Sequence, residues 1–155
     1  MIQFSFIIPV YNRPHEIKEL LESFKALITS DAFEIVIIED GSTLCCSDIV
    51  ADYQDALDIS YYQKQNTGPG DSRNFGMGLA KGNYYIILDS DVLLPPDYLE
   101  QVSTFLKHNY VDCFGGADAA HDSFTDIQKA INYTMTSFLT TGGIRGSKKA
   151  VQHFE

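Results

Sequence analysis

Short, continuously apolar runs alternate along the chain with stretches of helical period. Phe4-Ser5-Phe6-Ile7-Ile8-Pro9-Val10 is a compact β-rich run. Pro14 then opens a segment in which Ile17, Leu20, Leu21, Phe24, Leu27 and Ile28 share one stripe, the mark of an amphipathic helix. Phe33 to Ile38 predicts a second buried strand, followed by a polar stretch of weak helical character, and Ala56 to Tyr62 predicts a third. Asn66-Thr67-Gly68-Pro69-Gly70 is a loop by composition, and Ser72 to Ala80 predicts a short helix with Gly82 as its C′ residue. Tyr84 to Leu88 predicts a fourth strand, Pro95-Pro96-Asp97 opens a helix with Leu99, Val102 and Leu106 inward, and Val111 to Gly116 predicts a fifth strand. Ile127, Ile131, Met135 and Phe138 give a last helical stripe.

Strands that are apolar throughout must be covered on both faces, and strands separated by helices pair in parallel. The expected architecture is therefore a three-layer α/β/α domain over residues 1–155, with a mostly parallel, Rossmann-like sheet. Ligands of such sheets bind beyond the carboxyl ends of the strands. Those ends are chemically distinctive here: Pro9-Val10-Tyr11-Asn12, Glu39-Asp40 and Asp89-Ser90-Asp91 would converge on one rim.

Composition narrows the possibilities. With 155 residues, 45% of them apolar, the chain can build a real core. Its net charge of −10 argues against nucleic acid as the main partner, because phosphate backbones are bound by clustered Lys and Arg. No apolar run is long enough to span a bilayer, and Met1-Ile2-Gln3 carries no basic leader. A cytoplasmic protein is expected, with any membrane contact made at the inner face through residues beyond Glu155. Cys45, Cys46 and Cys113 are odd in number and lack metal-ligand spacing, so they read as reduced thiols, and the scattered histidines predict no zinc site.

Asp89-x-Asp91 carries the strongest chemistry. Two carboxylates just past a buried strand suit Mg²⁺ or Mn²⁺, which could bridge to a diphosphate; a solvated strand-end turn would look the same. Glu39-Asp40-Gly41-Ser42 could accept from a nucleobase N–H or a ribose hydroxyl, or be a polar turn with Gly41 at positive φ. Gly68 to Gly76 feeds a loop into a helix start, whose free N–H groups suit an anion. Arg73 would add a forked donor, while Asp71 would compete for the same N–H groups. Neither a Walker A loop nor G-x-G-x-x-G follows the first strand. Asp118, His121 and Asp122 sit close together, but Asp122 or Ser123 capping the next helix is a better reading than a second metal site, and Asn132-Tyr133-Thr134 is read as a chance sequon.

Taken in order, Pro9-Val10-Tyr11-Asn12, Glu39-Asp40-Gly41-Ser42, Asn66-x-Gly68 with Arg73-Asn74-x-Gly76, and Leu88-Asp89-Ser90-Asp91 resemble the N-terminal part of the family 2 glycosyltransferases, which have the GT-A fold. The likeness is good over residues 4–115 and looser beyond. It implies an inverting transferase that uses a nucleotide-diphosphate sugar, often a UDP-sugar, with a divalent metal, and a saccharide or lipid-linked acceptor. By that resemblance Pro9, Tyr11 and Asn12 line the base and ribose, and one of Glu39 and Asp40 holds the base or ribose. Gly68, Arg73 and Asn74 lie near the base and diphosphate. Asp89 and Ser90 face the ribose or sugar, and Asp91, with Asp89, binds Mn²⁺ or Mg²⁺. Glu39 stands where Asp is usual, so the choice between the paired acids stays open. The base that deprotonates the acceptor is expected beyond Glu155, so the 155-residue chain alone is expected to bind the donor without transferring the sugar. Two alternatives remain: a non-catalytic nucleotide-binding module, and a phosphatase of the haloacid-dehalogenase type with Asp89 as nucleophile, disfavoured because three strands precede the motif.

Overall fold

The computed structural model describes residues 3–109, 111–115 and 125–137. The chain divides into two compact units, residues 1–109 and 110–155. In the first, β1 (Phe4–Val10), α1 (Pro14–Lys25), β2 (Phe33–Asp40), α2 (Ser47–Ala51), β3 (Ile59–Lys64), α3 (Pro69–Leu79), β4 (Tyr84–Ile87) and α4 (Tyr98–His108) follow one another. The second contains α5 (Asp126–Thr136).

All four strands are parallel, in the order β3-β2-β1-β4. The chain builds outward from β1 through β2 to β3, then crosses to the other side of β1 for β4. The strand order therefore reverses at β1/β4, where a parallel sheet of this kind opens a crevice for a ligand. Every residue of β1 is buried, as its unbroken apolar run requires. One face is covered by α1 through Ile17, Leu20, Leu21 and Phe24, with Phe6 edge-on to Phe24 at 4.7 Å.

Pro9 decides where the crevice opens. The carbonyls of Gln3 and Ile7 accept from Tyr84 and Leu88, so alternate residues of β1 turn their peptide groups toward β4. Pro9 belongs to that set and has no N–H to give. The β1–β4 pairing stops at Ile7↔Ile87, whereas β1 continues against β2 to Val10↔Glu39. Beyond Ile87 the two chains are free to part.

On the opposite face α3 packs on β1 and β2. A Cβ at Gly76 would lie 2.6 Å from Ile7 Cγ2 and 3.3 Å from Ile38 Cγ1, so only glycine lets the helix come this close. The close approach brings the first turn of α3, with Arg73, over the carboxyl-end rim.

Several boundaries differ from the sequence expectations. The third strand starts at Ile59 because Ala56 and Leu57 close a turn onto the Tyr53 carbonyl. Helix α3 starts at Pro69 rather than Ser72, since proline's missing N–H costs nothing in a first helical turn. Its C-cap, Ala80, is extended, and Gly82 serves contact instead: a Cβ there would sit 2.6 Å from Ser5 Oγ. α1 ends at Lys25, so Ile28 leaves the stripe and is exposed. Residues 111–115 form no strand, because an apolar run does not bring its own ladder partner. Gly116 and Phe138 lie outside the described residues, as do Asp118, His121 and Asp122. No described helix is long and apolar enough to cross a membrane.

Gly76 and Gly78, both within α3, should respond oppositely to substitution. Gly76→Val should lower the unfolding free energy by about 1–3 kcal/mol through overpacking. Gly78→Ala, with open space around it, should raise it by about 0.5–1 kcal/mol. Urea titration of both variants checks the difference.

Candidate functional site

The parted ends of β1 and β4 form an open cavity of about 400 Å³, within the range of small-molecule sites. Pro9, Val10, Tyr11 and Arg13 line it from β1, and Asp89, Ser90 and Asp91 from β4. Asp40 reaches it from β2, and Pro69 and Arg73 from the start of α3. The three polar clusters thus share one rim.

The two paired acids have different fates because successive strand residues point to opposite faces. Glu39 is fully buried and lies outside the cavity lining. Its carboxylate accepts from the Cys46 amide at 2.9 Å, the Cys46 thiol at 3.0 Å, the Tyr61 hydroxyl at 2.9 Å and the Ser42 hydroxyl. Burial pushes the Cys46 thiol up, and Glu39 adds to that, so the thiol stays a proton donor. All three cysteines are free.

Asp40 lines the cavity and is also buried. It accepts from Lys64 Nζ at 2.6 Å, the Thr67 amide at 3.0 Å and the Gly68 amide at 2.9 Å. Burial alone would raise its pKa, but Lys64 and the two amides outweigh it and hold the carboxyl below its ordinary value. Lys64 meets burial in the same way, which lowers its pKa, yet Asp40 and Asp71 raise it on balance. Two glycines make this cluster possible. Gly41, at φ 72, leaves room for the Asn66 backbone, 2.6 Å from where a Cβ would be; Gly68, at φ 94, turns its N–H onto Asp40.

Asn12 is at φ 54, a left-handed conformation that asparagine tolerates. Its Oδ1 accepts from the Thr43 amide at 2.8 Å and the Leu44 amide at 2.9 Å, and its own amide donates to Ser42 Oγ at 2.8 Å. It latches the end of β1 to the loop after β2. Asn12, Asn74 and Gly68 do not line the cavity, whereas Tyr11 does and is half exposed.

Within Asp89-Ser90-Asp91 the serine turns in and the acids turn out. Ser90 is buried and donates to Glu16 Oε2 at 3.0 Å. Arg73 Nη2 donates to Asp89 Oδ1 at 2.6 Å, and Arg13 Nη1 lies 3.6 Å from Asp91 Oδ2 and 3.1 Å from Glu16 Oε2. Arg13, Glu16 and Lys64 were not picked out from the sequence. The first two are spaced like an ordinary surface pair of a helix first turn, and nothing in the local pattern shows their reach to β4.

Among the described residues no three His, Cys, Asp or Glu side chains gather to enclose a cation. The two exposed carboxylates, Asp89 and Asp91, nevertheless fit a hard cation that completes its shell with phosphate oxygens and water, as Mg²⁺ sites do. Their partners are guanidiniums, which a divalent ion can replace.

A parallel sheet whose crevice sits at the strand-order reversal, ringed by acids and arginines, has the layout of an α/β protein that binds its ligand beyond the strand ends. The Glycosyl transferase family 2 model matches residues 5–154, and the chain belongs to that family. An uncharacterized glycosyltransferase of Rickettsia conorii is 41% identical over 107 residues, covering 68% of this chain and 17% of its own length. The poly(ribitol-phosphate) beta-N-acetylglucosaminyltransferase TarS of Staphylococcus aureus is 32% identical over 115 residues, 72% of this chain and 20% of that protein. The structure of TarS residues 1–349 in complex with UDP-GlcNAc superposes with a TM-score of 0.65 at 32% identity, covering 69% of this chain and 32% of that one. A mannosyltransferase of Pyrobaculum calidifontis, in complex with GDP-Man and Mn²⁺, shares the fold with a TM-score of 0.62 at 24% identity, over 67% of this chain and 32% of that one. The fold is that of the GT-A glycosyltransferases, and the phosphatase alternative falls with this result. The chain spans a fifth or less of the length of these sequence relatives.

The Asp40–Lys64 pair sets a pH window. Asp40, depressed in the fold, contributes stability that is fully present above about pH 4 and lost as pH falls through its folded pKa. Lys64, raised, contributes stability present below about pH 10 and lost as pH rises through its folded pKa. Lys64→Met should cost about 3–5 kcal/mol at pH 7, by leaving a buried carboxylate without its cation. It should also flatten the loss of stability between pH 5 and pH 3, which urea titration across that range would show.

Proposed function

We propose that this chain is the donor-binding part of a transferase. It moves a sugar from a nucleoside-diphosphate sugar, a UDP-sugar, to an acceptor hydroxyl with inversion, assisted by Mn²⁺ or Mg²⁺. The observation that carries this reading is that Asp40, Arg73, Asp89 and Asp91, drawn from three separate segments, line one crevice. TarS is an N-acetylglucosaminyltransferase whose structure has been determined with UDP-GlcNAc.

Each role follows from the surroundings. Asp40 is kept ionised by Lys64, and Oδ2, which accepts from the Gly68 amide, has a second lone pair to take an N–H from the base. Of the paired acids it is the one assigned that contact, because Glu39 is committed to Ser42, Cys46 and Tyr61. The half-exposed Tyr11 ring offers a face for the base to stack on. Arg73 supplies a forked donor to phosphate oxygens, and the amide groups at the start of α3 add to it. Asp89 faces the ribose or sugar, and Asp91, with Asp89, would hold the cation. A bound divalent cation would neutralise the charge that develops on the departing diphosphate. Pro9 shapes the floor by ending the ladder, and Asn12 supports the rim by latching the end of β1 to the loop after β2.

The acids that line the crevice are each paired with a cation: Asp40 with Lys64, Asp89 with Arg73, Asp91 with Arg13. None is left over to take a proton from an acceptor. The base is assigned to residues other than these three acids, and the acceptor, a saccharide or a lipid-linked saccharide at the inner face of the membrane, to contacts made outside this crevice.

Calorimetric titration with UDP should show binding that strengthens at least about tenfold when Mn²⁺ is added, and Asp91→Ala should abolish that gain. Full affinity in Asp91→Ala would remove Asp91 from the site. The 155-residue chain should bind UDP-GlcNAc without transferring the sugar, and appreciable transfer would refute the expectation of a base beyond Glu155.

A further inference from the structure

The charged groups of the crevice already satisfy one another. Arg73 holds Asp89 at 2.6 Å, and Arg13 stands 3.6 Å from Asp91. Two guanidiniums face two carboxylates, so this part of the rim is electrically balanced. Behind Arg13 is a third carboxylate, Glu16, with both oxygens 3.1 Å from Arg13 Nη1. Glu16 also accepts the Ser90 hydroxyl, which fastens the Asp89-Ser90-Asp91 turn to the first turn of α1. One side chain therefore fixes the places of both Arg13 and the turn that carries the acids.

A divalent cation coming alone to Asp89 and Asp91 must compete with both guanidiniums. A diphosphate coming alone must compete with both carboxylates for the same guanidiniums. Arriving together, the two can exchange partners: the cation takes the carboxylates, and the freed guanidiniums take phosphate oxygens. Neither the cation nor the diphosphate then leaves a charge stranded. The geometry points to Arg13 as a second donor-phosphate residue, kept in place by Glu16 and released from Asp91 when the cation binds. This inference rests on the reading of the crevice as a site for a nucleoside diphosphate and a divalent cation. Arg13 has five N–H donors, so the contact with Glu16 leaves others for a phosphate oxygen.

The magnitudes differ in a useful way. The Arg13–Asp91 pair is long, and both side chains are more than half exposed, so its loss should change cation binding by a factor of only about two to five. A charge-assisted bond from Arg13 to a bound phosphate is worth about tenfold or more. Removing Arg13 should thus help the cation slightly and hurt the nucleotide strongly. A merely structural role would weaken both.

The experiment uses the 155-residue chain with Mn²⁺ and UDP as probes. The Arg13 side chain makes no capping hydrogen bond to the backbone of α1, so Arg13→Gln leaves the helix start intact. Mn²⁺ affinity without nucleotide is read from the paramagnetic resonance of the free ion, and UDP affinity at saturating Mn²⁺ from calorimetry. Arg13→Gln should tighten Mn²⁺ alone by about two- to fivefold and weaken UDP by about tenfold. Lys18→Gln, which removes the same charge from an exposed position on α1, should change neither by as much as twofold. Parallel weakening of both ligands by Arg13→Gln, no change in either, or the same pattern in Lys18→Gln would overturn the inference while leaving the binding site in place. If the wild-type chain binds neither UDP with Mn²⁺ nor Mn²⁺ alone, the reading of the crevice fails, and the exchange with it.

Discussion

The parting of β1 from β4 is the constraint on which the rest of this structure depends. A central parallel strand normally hands hydrogen bonds to both neighbours along its whole length. Here the residue that should donate to β4 near the carboxyl end is Pro9, and the ladder stops one pair earlier, at Ile7↔Ile87. Because the strand order reverses at the same place, nothing in the first unit's sheet closes the gap. The opposite wall follows from Gly76, whose missing side chain lets α3 lie close enough on Ile7 and Ile38 to put Arg73 at the rim. A proline and a glycine, neither of which carries chemistry, thus set where the chemistry can occur.

Electrostatics then decides what the gap can hold. A chain of net charge −10 that is to bind a diphosphate has to keep its acids from repelling it. The first unit does so by local pairing. Lys64 neutralises Asp40 in a mostly buried contact, and Arg73 and Arg13 face Asp89 and Asp91 in exposed ones. Buried and exposed pairs behave differently. Removing one partner of the former strands a charge in low dielectric, so Asp40 and Lys64 are fixed parts of the architecture. The latter are weak and screened, so they can be exchanged for a ligand at little cost. The contrast separates the groups that shape the site from those that can change partner within it.

Much of this was legible in the sequence, for identifiable reasons. The first two strands are mostly apolar, which predicted a covered parallel sheet, and the stripe Ile17, Leu20, Leu21, Phe24 is the buried face of α1. Polar clusters directly after such strands had to meet, because parallel strands share a carboxyl edge. What escaped notice depends on contacts distant in sequence. Glu39 and Asp40 look equivalent as a pair, and only the register that turns one toward Tyr61 and Cys46 and the other toward the crevice tells them apart. Asn12 reads as a ligand residue, and its bonds to the Thr43 and Leu44 amides could not be foreseen from its place in the chain. Arg13 and Glu16 read as a solvated helical pair, while their reach to Asp91 and Ser90 spans more than seventy positions. The run from Val111 had the composition of a strand, yet residues 111–115 form none.

The central claim is that the acids after β4 and the arginines facing them grip a cation-bound diphosphate in the β1/β4 crevice. Paramagnetic broadening of backbone amides, recorded on isotope-labelled protein with UDP and substoichiometric Mn²⁺, tests it most directly. The account predicts that the amides of Tyr11 to Arg13, of Arg73 and of Asp89 to Val92 broaden first, and that those near Glu34 and Gly82, at the opposite end of the sheet, stay sharp. Broadening centred away from the Asp89-Ser90-Asp91 turn, or spread evenly over the acidic surface, would contradict it.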